Sequence, residues 1–139
     1  MRTRGSATER LAATALIADR DTAFRGIVRG AIDGLVRIVG ETDNGDSALV
    51  LARALKPDVI LIELDLPRGG GIATAWRIKR DQPEVRVILM TANGEEAFLE
   101  STGKAWPDAF LRRQDARNDA PTVLRRVAAG NLRPWDRRR

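Results

Sequence analysis

A chain of 139 residues with 43% hydrophobic content suits one compact domain with a core, is too short for two, and holds no apolar run of transmembrane length. Cysteine and histidine are both missing, which excludes disulfides, thiolate or imidazole zinc sites, histidine-based triads and a phosphohistidine role, and fits a cytoplasmic protein. The formal charge of +5 sits at the ends: residues 1–10 hold three Arg and one Glu, residues 131–139 hold four Arg and one Asp, and the 17 basic and 17 acidic residues between them cancel, so the basic excess lies in the two tails and not on the folded body, which weakens it as a sign of nucleic-acid binding.

The pattern alternates strand and helix. "ATALIAD" is a short apolar strand that ends in charge; the overlapping "LAATALIA" is too short, and runs too directly into "DRD", to be a secretory leader. "TAFRGIVRGAIDG" places Phe24, Ile27, Val28, Ala31 and Ile32 on one helical face, with Gly34 as its stop. "LVRIVG" is a second strand. "DNGDSALVLARAL" is a turn and a helix capped by Asp46 or Ser47 and ended by Pro57. "DVILIEL" has the continuous apolar run of a parallel strand buried on both faces. "GIATAWRIKRDQ" is a third helix closed by Pro83, and "VRVILMTA" a fourth strand. "GEEAFLESTGK" is a short fourth helix of low propensity, "DAFLRR" a fifth strand, and "DAPTVLRRVAAG" a last helix that starts near Asp119 and stops at Gly130.

Five such units imply an α/β protein with a doubly wound parallel sheet covered by helices on both faces. In that architecture the functional crevice lies at the carboxyl ends of the strands. Four polar groups meet there: Asp19-Arg20-Asp21 after the first strand, Glu63 after the third, Thr91 after the fourth and Arg112-Arg113 after the fifth. "PRGGG", four residues beyond Glu63, lacks the spacing and the Lys-Ser/Thr ending of a Walker loop and reads as a close-passing strand-to-helix turn.

With those residues in place, the chain resembles the CheY-like receiver domains of response regulators. "DSALVLARALKPDVILIELDLP" and "PEVRVILMTA" bring it nearest to receivers of NarL/FixJ-type regulators. The resemblance covers residues 13–130, between a basic N-terminal tail (1–12) and a basic C-terminal tail (131–139). It implies a five-stranded sheet of order 2-1-3-4-5. It also implies phosphoryl transfer from a histidine kinase to an aspartate ending the third strand, assisted by Mg²⁺ on an acidic pair, a Thr or Ser, a Lys and a switching aromatic. By position Asp19 matches the first acid, Thr91 the hydroxyl, Phe110 the aromatic and Pro67 the loop proline. Three positions depart: Glu63 stands at the phosphoacceptor, Arg20 at the second acid and Arg113 at the lysine.

Two guanidinium groups facing Asp19 and Glu63 leave the pocket neutral, where a usual receiver pocket is anionic, and arginine does not deprotonate to make room for a cation. The expectation is therefore an atypical single-domain receiver, a pseudo-receiver, with no catalytic residue, no cofactor and Mg²⁺ binding lost or weak. Glu63 is either a mimic of a phosphorylated aspartate or a carboxylate locked by Arg20 or Arg113. Thr91 is a strand-end hydroxyl or a switch residue, and Phe110 is core or a switch residue. The face formed by the fourth helix, fifth strand and last helix is expected to contact a protein partner or a second copy, with no membrane and no nucleic acid for this chain alone. Two alternatives stand beside this: the receiver part of a NarL/FixJ-type DNA-binding regulator, for whose helix-turn-helix too few residues remain after Gly130, and a small-molecule sensor in which Arg20 and Arg113 grip an anion.

Overall fold

The computed structural model describes residues 13–92 and 107–128. Five parallel strands form one sheet: β1 (Thr14–Ala18), β2 (Arg37–Thr42), β3 (Val59–Glu63), β4 (Arg86–Thr91) and β5 (Ala109–Arg112). Their order is β2-β1-β3-β4-β5, so the chain winds outward in both directions from β1 and β3. Among the described residues four helices cover it: α1 (Thr22–Ile32), α2 (Gly45–Leu55), α3 (Gly71–Asp81) and α4 (Ala116–Ala128), the last entered through a 3-10 turn, Arg113–Asp115. The helix expected over 94–104 and both basic tails lie outside the described residues.

Alternation along the strands sorts the core into two layers. Ala15, Ile17, Val59, Leu61, Ile88 and Met90 face α1 and α4, meeting Phe24, Val28, Ile32, Leu124 and Val127. Leu16, Ala18, Ile60, Ile62, Val87 and Leu89 face α2 and α3, meeting Ala48, Leu49, Ala52, Ala75 and Ile78. Every residue of β3 is buried, as its unbroken apolar run requires of a central parallel strand.

Several expected boundaries move, each for a visible reason. α2 is capped by Asn44, whose side chain accepts from Ser47 N at 2.8 Å, and neither Asp46 nor Ser47 holds that role. Asp46 turns outward to Arg68 at 3.2 Å. The last helix begins at Ala116, ahead of Asp119, and runs through Pro121. Its buried residues Ala116, Ala120, Leu124 and Val127 form one stripe at helical spacing, so burial of the two alanines decides the start. β2 begins at Arg37, two residues later than expected, because the N–H groups of Leu35 and Val36 both donate to the Ile32 carbonyl, at 3.0 and 3.4 Å, and close a turn after α1. Ile27, expected on the buried face of α1, is only half-buried.

The turn after β3 is shaped by glycine. A Cβ on Gly71 would stand 1.7 Å from the carbonyl oxygen of Glu63, so the start of α3 lies directly on the strand end that carries the pocket. A Cβ on Gly45 would meet the carbonyl oxygen of Arg68 at 2.3 Å, and Gly45 N donates to Pro67 O at 2.8 Å. The "PRGGG" segment thus packs against the start of α2 and passes tightly under the rim.

Candidate functional site

The rim residues converge at the carboxyl ends of β1, β3, β4 and β5, and ion pairs and hydrogen bonds to backbone groups join them. Glu63 is buried at the end of β3. Both its oxygens are taken by one residue: Arg20 N donates to Oε1 at 2.8 Å and Arg20 Nε donates to Oε2 at 2.9 Å. Arg20 Nη2 also donates to the Asp65 carbonyl, so this side chain ties the β1–α1 loop to the β3–α3 loop. The extra methylene of glutamate, compared with aspartate, is what carries the carboxylate out to the backbone of the first loop.

Asp19, fully buried at the end of β1, is held separately. Its Oδ1 accepts from Asp21 N at 2.9 Å and its Oδ2 from Arg113 Nη1. Its carbonyl oxygen accepts from Arg25 Nη1 at 2.6 Å, and its own N–H donates to Thr42 O at 3.0 Å. Burial pushes the Asp19 carboxyl above its ordinary value; the bonds from Asp21 N and Arg113 act against that, and the nearby charge of Glu63 adds to it.

Asp21 does not stand in for the acid that Arg20 displaces. It is the N-cap of α1, accepting from Ala23 N at 2.9 Å and Phe24 N at 3.2 Å. Arg113 Nη2 lies 3.8 Å from Asp21 Oδ2, and its Cζ sits 4.0 Å above the centre of the Phe24 ring. Arg113 therefore serves Asp19 and the start of α1, and the carboxylate of Glu63 belongs to Arg20. Among the described residues, no three carboxylates gather closely enough to hold a metal ion.

Thr91 is buried at the end of β4. Phe110 on β5 is half-buried and packs on the α2–α3 side of the sheet. Two further ionic groups lie outside what the sequence pattern singles out. Arg25 and Arg29 of α1 converge on Glu41 of β2, at 3.2 and 2.6 Å, beside the rim. At the opposite end of the sheet, Lys79 Nζ donates to Asp108 Oδ2 at 2.9 Å and Val85 O at 2.6 Å, with both side chains largely buried. Only the apolar character of "DAF" beside a lone aspartate hints at that pair.

The family model for the response regulator receiver domain matches residues 15–119. The chain belongs to the response regulator receiver domain family. Response regulator GacA of Pseudomonas aeruginosa is 32% identical over 117 residues, which make up 83% of this chain and 54% of GacA. The signal receiver domain of NarL from Mycobacterium tuberculosis superposes with a TM-score of 0.76 at 28% identity, covering 88% of this chain and 98% of that one. RcsB, solved as dimers bound to DNA, shares the fold with a TM-score of 0.77 at 24% identity, over 88% of this chain and 63% of that one. The chain spans about half the length of the curated relatives it matches, 54% of GacA and 45% of Escherichia coli NarL. The sheet order and the helices on both faces are those of the receiver fold, so this is a signalling module of two-component type by family. No helix among the described residues is long and apolar enough to cross a membrane.

Proposed function

We propose that this chain is a pseudo-receiver: a receiver that signals through protein contacts, independently of aspartyl phosphorylation, and performs no catalytic step. The observation that carries this reading is the hold of Arg20 on Glu63, backbone N–H on one oxygen and guanidinium on the other. Phosphoryl transfer to a receiver needs an acceptor oxygen free to attack and a cation to neutralise developing charge. Here both acceptor oxygens are hydrogen-bonded, and the residue that would complete a cation's ligand set is itself a cation. Mg²⁺ prefers several oxygen ligands in near-octahedral geometry. The donor set of this rim does not fit it, because Asp19 and Glu63 each carry a guanidinium and Asp21 caps α1. The same geometry supports a locked carboxylate at position 63 over a phosphoryl mimic. It also weakens a small-molecule sensor reading, since both rim arginines are already engaged by carboxylates.

In this proposal residues 13–130 form the module, flanked by basic segments 1–12 and 131–139, and the module works in the cytoplasm. Its contacts, with a partner protein or a second copy, are made through β5, α4 and the segment that precedes β5. The decisive test is incubation with acetyl phosphate and Mg²⁺ followed by intact mass measurement. The mass is expected to stay unchanged; a gain of one phosphoryl group mapped to Glu63 or Asp65 would overturn the proposal.

A second reading is favoured by one observation, the half-length match to GacA and NarL. The module would then be the receiver part of a NarL/FixJ-type DNA-binding regulator. The coding sequence flanking this segment distinguishes the two, since a following helix-turn-helix supports the second.

A further inference from the structure

Arg113 stands at the end of β5, yet its partner Asp19 stands at the end of β1, with β3 and β4 between them in the sheet. Glu63, nearer in the sheet, has its oxygens occupied by Arg20, and Arg113 meets the Asp19 carboxylate at the end of β1 and two groups at the start of α1, the Asp21 carboxylate that caps the helix and the ring of Phe24. Its side chain is 27% exposed and that of Asp19 is 0% exposed, so the pair is shielded on one side and fully buried on the other. The residue also opens the 3-10 turn that leads into α4. α1 and α4 lie on the same face of the sheet and share one core layer.

We propose that Arg113 is a positioning residue that straps the β5–α4 turn to the N-terminus of α1, so that α1 and α4 are held as one body whatever the state of residue 63. The planar fork of a guanidinium is what allows this. One edge bonds Asp19, a second N–H faces Asp21, and the flat side covers Phe24. A lysine at this position supplies a point charge, without the planar fork that reaches two carboxylates while its flat face lies on a ring. At position 113 the cation therefore serves the junction of α1 and α4, while the carboxylate at position 63 is held by Arg20. This deepens the pseudo-receiver reading and rests on it only in treating residue 63 as a bystander to the strap.

Double-mutant cycles in the whole chain, free of metal and phosphoryl donors, test the strap separately from the labelling experiment. Asp19→Asn with Arg113→Gln is expected to show a coupling of at least about tenfold in the unfolding equilibrium constant, within the range of residues in direct contact. Glu63→Gln with Arg113→Gln is expected to couple much less, within about threefold, since Glu63 acts on Asp19 only as a nearby charge while Arg113 bonds it directly. Amide exchange gives a local readout: in Arg113→Gln, Phe24 and Arg25 should exchange about tenfold faster, with Ser47 and Ala75 unchanged. Arg113→Lys, which retains the charge and stands in if Arg113→Gln does not fold, should recover part of the protection at Phe24. Coupling to Glu63 as large as that to Asp19, no coupling to Asp19, or exchange that accelerates uniformly through the sheet would overturn the proposal.

Discussion

A single methylene and two guanidinium groups decide the chemistry of this rim. Glu63 reaches the backbone of Arg20 because it is one carbon longer than aspartate, and Arg20 closes on it from the side. Shortening the residue alone does not rebuild an acceptor, since Arg20 still removes an oxygen ligand and adds a positive charge. Glu63→Asp is therefore expected to remain unlabelled by acetyl phosphate with Mg²⁺. Glu63→Asp with Arg20→Asp should regain Mg²⁺ binding first, and only partial labelling while Arg113 stays on Asp19. Intact mass and metal titration check this, and full labelling of the single variant would contradict the charge argument. Asp19 makes a prediction of its own. Its folded carboxyl lies above the ordinary 3.8, chiefly because it is buried. A group raised on folding contributes stability that is complete below its unfolded value and is lost as pH rises through its folded value. The parent should therefore lose melting temperature relative to Asp19→Asn as pH climbs above 3.8, until it has passed the raised folded value, with a constant gap beyond it. Melts of both proteins across that range check the sign; a gap that closes with rising pH would show the Arg113 bond outweighing burial.

At the scale of elements, two glycines that look alike in the sequence have opposite roles. Gly71 starts α3 against the carbonyl of Glu63, where a Cβ would sit at 1.7 Å from rigid backbone. Gly30 lies in α1, where a Cβ would find nothing within 4 Å. Gly71→Ala should displace the strand end and cost several kcal/mol, within the range of severe core lesions or beyond. Gly30→Ala should stabilise the fold by about 0.5–1 kcal/mol through helix propensity alone. Denaturant unfolding of the two variants separates the roles. The elements themselves were legible because alternation, apolar runs and glycine or proline stops are local signals. Asn44 was missed as the α2 cap because Asp46 and Ser47 also carry capping oxygens, and only the turn geometry chooses among them. Lys79 reads as part of a polar helix face; it is half-buried because the end of α3 lies over the start of β4 and meets the buried Asp108.

At the scale of the whole molecule, the sheet order and the set of residues at the rim were readable, because parallel alternation sends every strand's carboxyl end to one edge. The pairing within the rim was not. Arg20 and Glu63 are 43 positions apart, Arg113 and Asp19 are 94 apart, and loop trajectories decide which guanidinium meets which carboxylate. That pairing has a consequence for signalling. In a phosphorylated receiver the energy that shifts the outer face comes from new contacts made by the phosphoryl group, and a ligand moves a two-state equilibrium only by its differential affinity for the two states. On the pseudo-receiver proposal, a rim whose two buried carboxylates are each bonded by one guanidinium and one backbone N–H gives Mg²⁺ or beryllofluoride no such difference to act on. Self-association and partner binding should accordingly have the same dissociation constant with and without Mg²⁺ and beryllofluoride. They should instead respond to charge reversal on the exposed side of α4, for example Arg126→Glu, by about threefold or more, as changes to exposed interface charges do. Light scattering across a concentration series, with each variant measured in both buffers, decides between the two behaviours. A beryllofluoride-driven move from monomer to dimer would mean that the rim still switches, and that the Arg20–Glu63 hold opens under a phosphoryl-like ligand.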